Sequence, residues 1–152
     1  MNAATMLSLE RLTVRYGPFV AVDGLDLELR RGELFGLLGP NGAGKSSTLR
    51  VLIGQRRPSA GRVTVAGLDV VSRWQEVKSL FGYVPDRENH FEEFSGRRNL
   101  QFFAGLYGVA ERRVDECLGL VELDEAGRLP VRAYSLGMRR KLLLARALLH
   151  RP

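Results

Sequence analysis

The chain has 152 residues, 45% hydrophobic and 26% charged, which is typical of a globular domain of ordinary size. Its net charge is +6, but the arginines are scattered and not interleaved with aromatic residues, so no nucleic-acid-binding surface is indicated. The chain contains no run of about 18 apolar residues, so the sequence predicts no transmembrane helix. The single cysteine, Cys117, excludes an internal disulfide. Residues 1–6 lack the basic segment and the apolar segment of a signal peptide, so a cytoplasmic protein is expected.

Alternating apolar residues predict antiparallel strands in the first part of the chain. Leucine and valine recur from Leu7 to Val14 and predict a first strand. Over residues 25–29, leucines alternate with charged residues, as expected for a half-exposed antiparallel strand. A third strand is predicted over residues 62–66, with a glycine-containing turn on each side.

The strongest motif is a phosphate-binding loop of the form G-x-x-x-x-G-K-[ST]. Its residues, with the serine that follows, are Gly39, Pro40, Asn41, Gly42, Ala43, Gly44, Lys45, Ser46 and Ser47. The apolar run Leu34–Leu38 predicts a buried strand before the loop, and Ser47–Ile53 predicts a helix after it, which is the context that the motif requires. The glycines let backbone N–H groups point at phosphates. Lys45 would reach the β- and γ-phosphates, and the Ser46 hydroxyl would complete the shell of a Mg²⁺ ion.

The second half of the chain is predicted to be mainly helical. Leu80–Val84 predicts one more short strand, ended by Pro85. Apolar residues at helical spacing then predict helices over about residues 97–107 and 111–120. Ser135 is a candidate N-cap for a last helix that runs through residues 142–149.

These motifs, in this order, resemble the ATP-binding subunits of ATP-binding-cassette (ABC) transporters over nearly the whole chain. The resemblance implies an α/β fold of the P-loop NTPase class, with a RecA-like core, an antiparallel β subdomain and a helical signature subdomain. It implies one partial nucleotide-binding domain over residues 1–152, with the β subdomain and core at about 1–85 and the helical subdomain at about 86–150. ATP and Mg²⁺ are the implied ligands.

Two further positions gain a role from this resemblance. Tyr16 lies where the family places an aromatic residue that stacks on adenine, although it could equally be a strand-end aromatic that packs locally. Asp86 lies where the family has a glutamine that contacts Mg²⁺ and the attacking water. An aspartate can hold the metal through water, but it is shorter and charged, and it could simply occupy a turn after proline.

A third motif resembles the family's signature sequence Leu-Ser-Gly-Gly-Gln. In this chain it contains Ser135, Leu136, Gly137 and Met138, and it resembles the variant of bacterial exporter subunits. In the family this serine and glycine contact the γ-phosphate held by the opposite subunit, and a capped helix N-terminus suits an anion. Without the other motifs, the segment would be read as a capped amphipathic helix.

The family's second catalytic segment, four apolar residues followed by Asp-Glu, is not found after the signature sequence. The run Leu120–Glu125 ends in Asp-Glu, but it precedes the signature and is interrupted by Glu122, so it is interpreted as a helix end. No catalytic residue is therefore assigned. The chain is expected to be a fragment that binds nucleotide weakly without hydrolysing it.

The resemblance implies an ATPase subunit coupled to membrane transport, and its signature variant implies the export direction. Its implied partners are a second nucleotide-binding subunit and a membrane-spanning permease, at the inner face of the cell membrane. Two alternatives are a soluble ABC ATPase that acts on ribosomes or DNA and a nucleotide-binding module without turnover. The first alternative predicts long coiled-coil insertions or tandem cassettes, and none is visible in these 152 residues.

Overall fold

A four-stranded antiparallel sheet dominates the first of the two units that the computed structural model defines. The model describes residues 5–152, and the units divide between Leu80 and Phe81. The strands are β1 (Thr5–Tyr16), β2 (Phe19–Arg30), β3 (Ala60–Val65) and β4 (Leu68–Asp69). They lie in the order β2-β1-β3-β4. The expected lack of a signal peptide concerns in part residues 1–4, which lie outside the described residues.

The predicted antiparallel strands are confirmed. In β1, Leu9, Leu12 and Val14 are buried, and Leu9 pairs with Leu27 of β2. Along β2, half-buried and exposed residues alternate over residues 25–30, which matches the leucine-and-charge pattern of the sequence. The sheet therefore buries one face, and the long β1–β2 hairpin carries Tyr16 at the end of its first strand.

Helices supply the rest of the regular structure. The α-helices are α1 (Lys45–Leu52), α2 (Trp74–Val77), α3 (Gly96–Tyr107), α4 (Arg112–Leu120) and α5 (Leu136–Leu148), and two short 3₁₀ helices span Ala126–Arg128 and Val131–Ala133. The core of the second unit forms where α3, α4 and α5 pack together around Leu100, Cys117 and Leu142, which are almost fully buried. Within residues 5–152, no helix is both long and apolar enough to cross a membrane.

The strand predicted at Leu34–Leu38 is wrong, because this segment has no regular secondary structure and belongs to no sheet. Leu34 is 103% exposed and Leu38 is 92% exposed. An apolar run indicates burial between neighbouring strands, but a strand forms only where a neighbour offers its backbone groups. Within residues 5–152 the sheet has no strand beside this segment.

The strand predicted at Leu80–Val84 is also wrong. This segment has no regular secondary structure, and its middle packs against the last turn of α5. A Cβ at Gly82 would lie 2.5 Å from the Ala147 carbonyl oxygen, and a ring nitrogen of His150 lies 3.1 Å from the Phe81 carbonyl oxygen. The segment is thus held by a helix end, which its apolar sequence with a single glycine does not reveal.

Candidate functional site

The phosphate-loop motif folds into a tight turn that leads directly into α1. Gly44 is the residue before the helix, with φ 81°, and no side chain caps the helix there. A Cβ at Gly44 would lie 2.4 Å from the Ala21 carbonyl oxygen of β2, so only glycine fits without displacing backbone. The first N–H groups of α1 are therefore available to an anion in the way that the motif requires.

Lys45 folds back over the loop. Its ammonium Nζ lies 2.5 Å from the Gly39 carbonyl oxygen and 2.6 Å from the Pro40 carbonyl oxygen. A positive charge is thus held at the mouth of the loop by two neutral acceptors. Phosphate oxygens are stronger acceptors for an ammonium than carbonyls are, so the lysine can turn to an anionic ligand at little cost. The neighbouring Ser46 is exposed.

Tyr16 faces the same loop. Its hydroxyl oxygen lies 3.3 Å from Ser47 Oγ, and a guanidinium nitrogen of Arg50 donates to it at 3.4 Å. The hydrogen bond with Ser47, followed by that from Arg50, lowers the pKa of the Tyr16 phenol below its ordinary value. Tyr16 therefore sits in a cationic environment beside the start of α1.

A cavity of about 260 Å³ joins Tyr16 to the phosphate loop. Its lining comprises Tyr16, Phe19, Ala21, residues 41–47 and Arg50. An aromatic ring, backbone N–H groups, a lysine and an arginine thus surround one space. This combination suits a ligand with a flat ring at one end and phosphates at the other.

Sequence reasoning missed Arg50 as a member of this site. A signal for it exists, because Ser47 and Arg50 are three residues apart on a helix and share one face. Once Ser47 is placed at the end of the loop, Arg50 follows on the same side. The contact of both side chains with Tyr16 could not be read from local spacing.

The signature-like segment lies in the second unit, at the start of α5. Ser135 is the N-cap, and its Oγ accepts from the Met138 N–H at 3.2 Å. Ser135, Leu136 and Gly137 are all exposed. The predicted cap is confirmed, and the exposed helix N-terminus has the geometry of an anion-receiving end.

Asp86 lies at an exposed bend directly after the segment that ends at Pro85. The Pro85 carbonyl accepts from a guanidinium nitrogen of Arg140 at 3.4 Å, which ties this bend to α5. The Asp86 carboxylate faces solvent, so it is free to hold a hydrated ion and equally compatible with a turn position.

The Asp-Glu sequence at residues 124–125 is not part of this site. Helix α4 ends at Leu120, so the interpretation of this run as a helix end is confirmed. Glu122 has φ 56° and pairs with Lys141 across 2.6 Å. In residues 5–152, no group of three or more His, Cys, Asp or Glu side chains could hold a metal ion.

The fold and the glycine loop define a P-loop NTPase of the ABC type, and comparisons with known proteins agree. The family model described as ABC transporter matches residues 22–152. Two solved structures match 97% of this chain: CbiO1 of Clostridium perfringens, part of the transporter complex CbiONQ, with a TM-score of 0.85 and 26% identity, and an ABC transporter ATP-binding subunit with 0.83 and 28%. The chain belongs to the ABC transporter family.

Curated relatives point in the same direction. The Nod factor export ATP-binding protein I of Ralstonia nicotianae is 39% identical, over 100% of this chain and 49% of that protein. The daunorubicin resistance ATP-binding protein DrrA3 of Streptomyces coeruleorubidus is 43% identical, over 99% of this chain and 49% of that protein. The chain thus spans about half the length of the curated relatives that it matches.

Proposed function

We propose that this chain is the nucleotide-binding part of an ATPase subunit that drives export across a membrane. The observation that carries the proposal is the cavity where Tyr16, the phosphate loop and Lys45 meet. The names of two relatives, one for Nod factor export and one for daunorubicin resistance, favour export.

In this proposal ATP lies with its phosphates in the loop and its adenine on Tyr16. The N–H groups at the start of α1 bind phosphate oxygens, and Lys45 moves its ammonium from the Gly39 and Pro40 carbonyls to the phosphates. Mg²⁺ would enter with ATP, neutralise phosphate charge and take the exposed Ser46 hydroxyl as a ligand. Asp86 would hold the ion through water.

The active assembly is proposed to be a dimer of such subunits bound to a permease. The start of α5, Ser135–Met138, where Ser135, Leu136 and Gly137 are exposed, would receive the γ-phosphate held by the other subunit. The permease would contact the second unit, where Phe91 and Phe102 are 41% and 46% exposed and stack edge to face. The subunit would then lie at the cytoplasmic face of the membrane. The subdomain boundary near residue 85 stays a prediction.

Nucleotide binding by the Lys45→Ala variant tests the proposal. Loss of a charge-assisted contact to phosphate should weaken ATP binding at least about tenfold in calorimetry. Lys78→Ala is the matched control, because Lys78 is exposed and lies outside the loop. Equal ATP affinity in Lys45→Ala, Lys78→Ala and the unsubstituted chain would contradict the proposal.

Export is tested in the full-length subunit reconstituted with its permease in vesicles. ATP hydrolysis should require Lys45 and should increase when the permease is present, because the second unit transmits the coupling. Hydrolysis at the same rate with and without the permease would argue against a transport role.

A further inference from the structure

A second arginine, Arg56, contacts Tyr16 from outside the nucleotide cavity. It lies in the connection between α1 and β3, and its backbone N–H donates to the Arg50 carbonyl at 3.1 Å, which anchors it to the end of α1. Its guanidinium carbon lies 3.9 Å from the centroid of the Tyr16 ring, over one face. This is the distance and orientation of a cation–π contact.

The same guanidinium also holds the backbone just before Tyr16. Its Nη2 donates to the Arg15 carbonyl. Ser59, three residues further along the same connection, accepts from the Arg15 N–H at 2.9 Å through its hydroxyl. The end of β1 is therefore attached to this connection through both the N–H and the carbonyl of Arg15, and the position of the Tyr16 ring depends on it.

The Nε of Arg56 is buried and takes no part in the hydrogen bond to the Arg15 carbonyl. Among the described residues this atom has no hydrogen-bond partner. A guanidinium used only as a backbone clamp would be expected to direct its donors at acceptors, since an unpaired buried donor costs free energy. Here its flat face lies on an aromatic ring, which leaves Nε without an acceptor.

Tyr16 is thus held at two places. Arg56 covers one face, while Ser47 and Arg50 hold the hydroxyl. A ring fixed in this way loses little further freedom when a flat ligand stacks on it, so binding costs less entropy.

We propose that Arg56 is a positioning residue for the adenine base: it supports one face of Tyr16 so that the opposite face receives the base. This inference rests on the proposed function, because it assumes that Tyr16 stacks on adenine. It goes beyond it by adding a residue that contacts no part of the nucleotide. It also predicts that binding of the base depends on Arg56, whereas binding of the phosphates depends on Lys45.

The test compares ATP with inorganic tripolyphosphate, which has phosphates and no base. In the full chain, Arg56→Ala should weaken ATP binding about two- to fivefold, as expected for loss of one cation–π support at a half-buried site. Tripolyphosphate binding should stay unchanged. Arg57→Ala is the matched control, since Arg57 is the exposed neighbour with the same charge. Arg56→Lys keeps a cation without the flat face and should lose less than Arg56→Ala.

A double-mutant cycle with Tyr16→Ala completes the test. If Arg56 acts through the ring, Arg56→Ala should weaken ATP binding no further once Tyr16 is removed. Equal losses for ATP and tripolyphosphate, or full additivity with Tyr16→Ala, would overturn the inference. ATP binding that is lost in Lys45→Ala but unchanged in Arg56→Ala would overturn it while supporting the proposed function. An unsubstituted chain that binds no ATP would overturn both.

Discussion

Gly42 and Gly44 are two residues apart in the loop and share a left-handed backbone, yet their surroundings differ. Gly42 has φ 88° with nothing within 4 Å of an added Cβ. Gly44 has φ 81°, and its added Cβ would lie 2.4 Å from the Ala21 carbonyl oxygen. One glycine is needed for conformation only, the other for conformation and for close approach of loop and strand.

The two alanine variants should therefore differ in stability. Gly42→Ala should cost about 1–2 kcal/mol from the left-handed backbone alone. Gly44→Ala should lose about 1–3 kcal/mol more, because the methyl group must displace backbone. Urea unfolding of both variants measures the difference. Equal losses would mean that the approach to Ala21 is not constrained.

The loop residues could be predicted from the sequence, because each follows from a fixed local spacing. Arg56 could not, because its contact with Tyr16 joins positions 40 residues apart and no periodicity links them. Pairwise contacts of this kind depend on how strands and connections meet in three dimensions. A residue that supports another residue carries no motif of its own.

Helix α5 begins with an N-cap, Ser135, that could serve either stability or function. Ser135 accepts from the Met138 N–H at 3.2 Å, and Ser95 caps α3 in the same way, accepting from the Arg98 N–H at 3.2 Å. The two serines make the same local hydrogen bond. Only one of them lies in the signature-like segment.

Alanine at each position separates the two roles. Ser135→Ala and Ser95→Ala should each lower the free energy of unfolding by about 1 kcal/mol, because each removes an N-cap. In the full-length subunit, ATP hydrolysis should fall for Ser135→Ala well beyond any effect of Ser95→Ala. Similar hydrolysis rates in both variants would mean that Ser135 only caps α5 and has no role in ATP hydrolysis.

Helices and the β1–β2 hairpin were predictable because each has a regular apolar period and finds its backbone partners close by in the sequence. Ser135 and the apolar spacing after it predict α5, and alternation over residues 25–29 predicts β2. Leu34–Leu38 and Leu80–Val84 were mispredicted because a strand also needs a partner, which local sequence does not specify. The two segments are apolar, as the sequence shows, but neither pairs with another strand in the described residues.

The whole molecule is basic, with 23 lysine and arginine residues against 17 aspartate and glutamate residues. Within the nucleotide cavity, Lys45 and Arg50 add positive charge beside the loop. A net charge of +6 attracts a polyanionic ligand at long range, and salt screens that attraction.

ATP affinity should accordingly fall as salt is raised from about 0.05 to about 0.5 M, where the screening length shortens several-fold. Adenosine, which has the base without the phosphates, is the control ligand and should bind with an affinity that salt barely changes. Calorimetry at each salt concentration measures both. A salt-independent ATP affinity would mean that the charge of the chain plays no part in capture of the ligand.

The largely exposed apolar segment Leu34–Leu38 has a practical consequence for anyone who handles this chain. It presents Leu34, Phe35 and Leu38 to solvent on a backbone without a strand partner in the described residues. Exposed apolar segments of this kind bind molecular chaperones, and at high concentration they pair with the same segment of other molecules. We therefore expect Leu34, Phe35 and Leu38 to lower the concentration at which solutions of this chain turn cloudy.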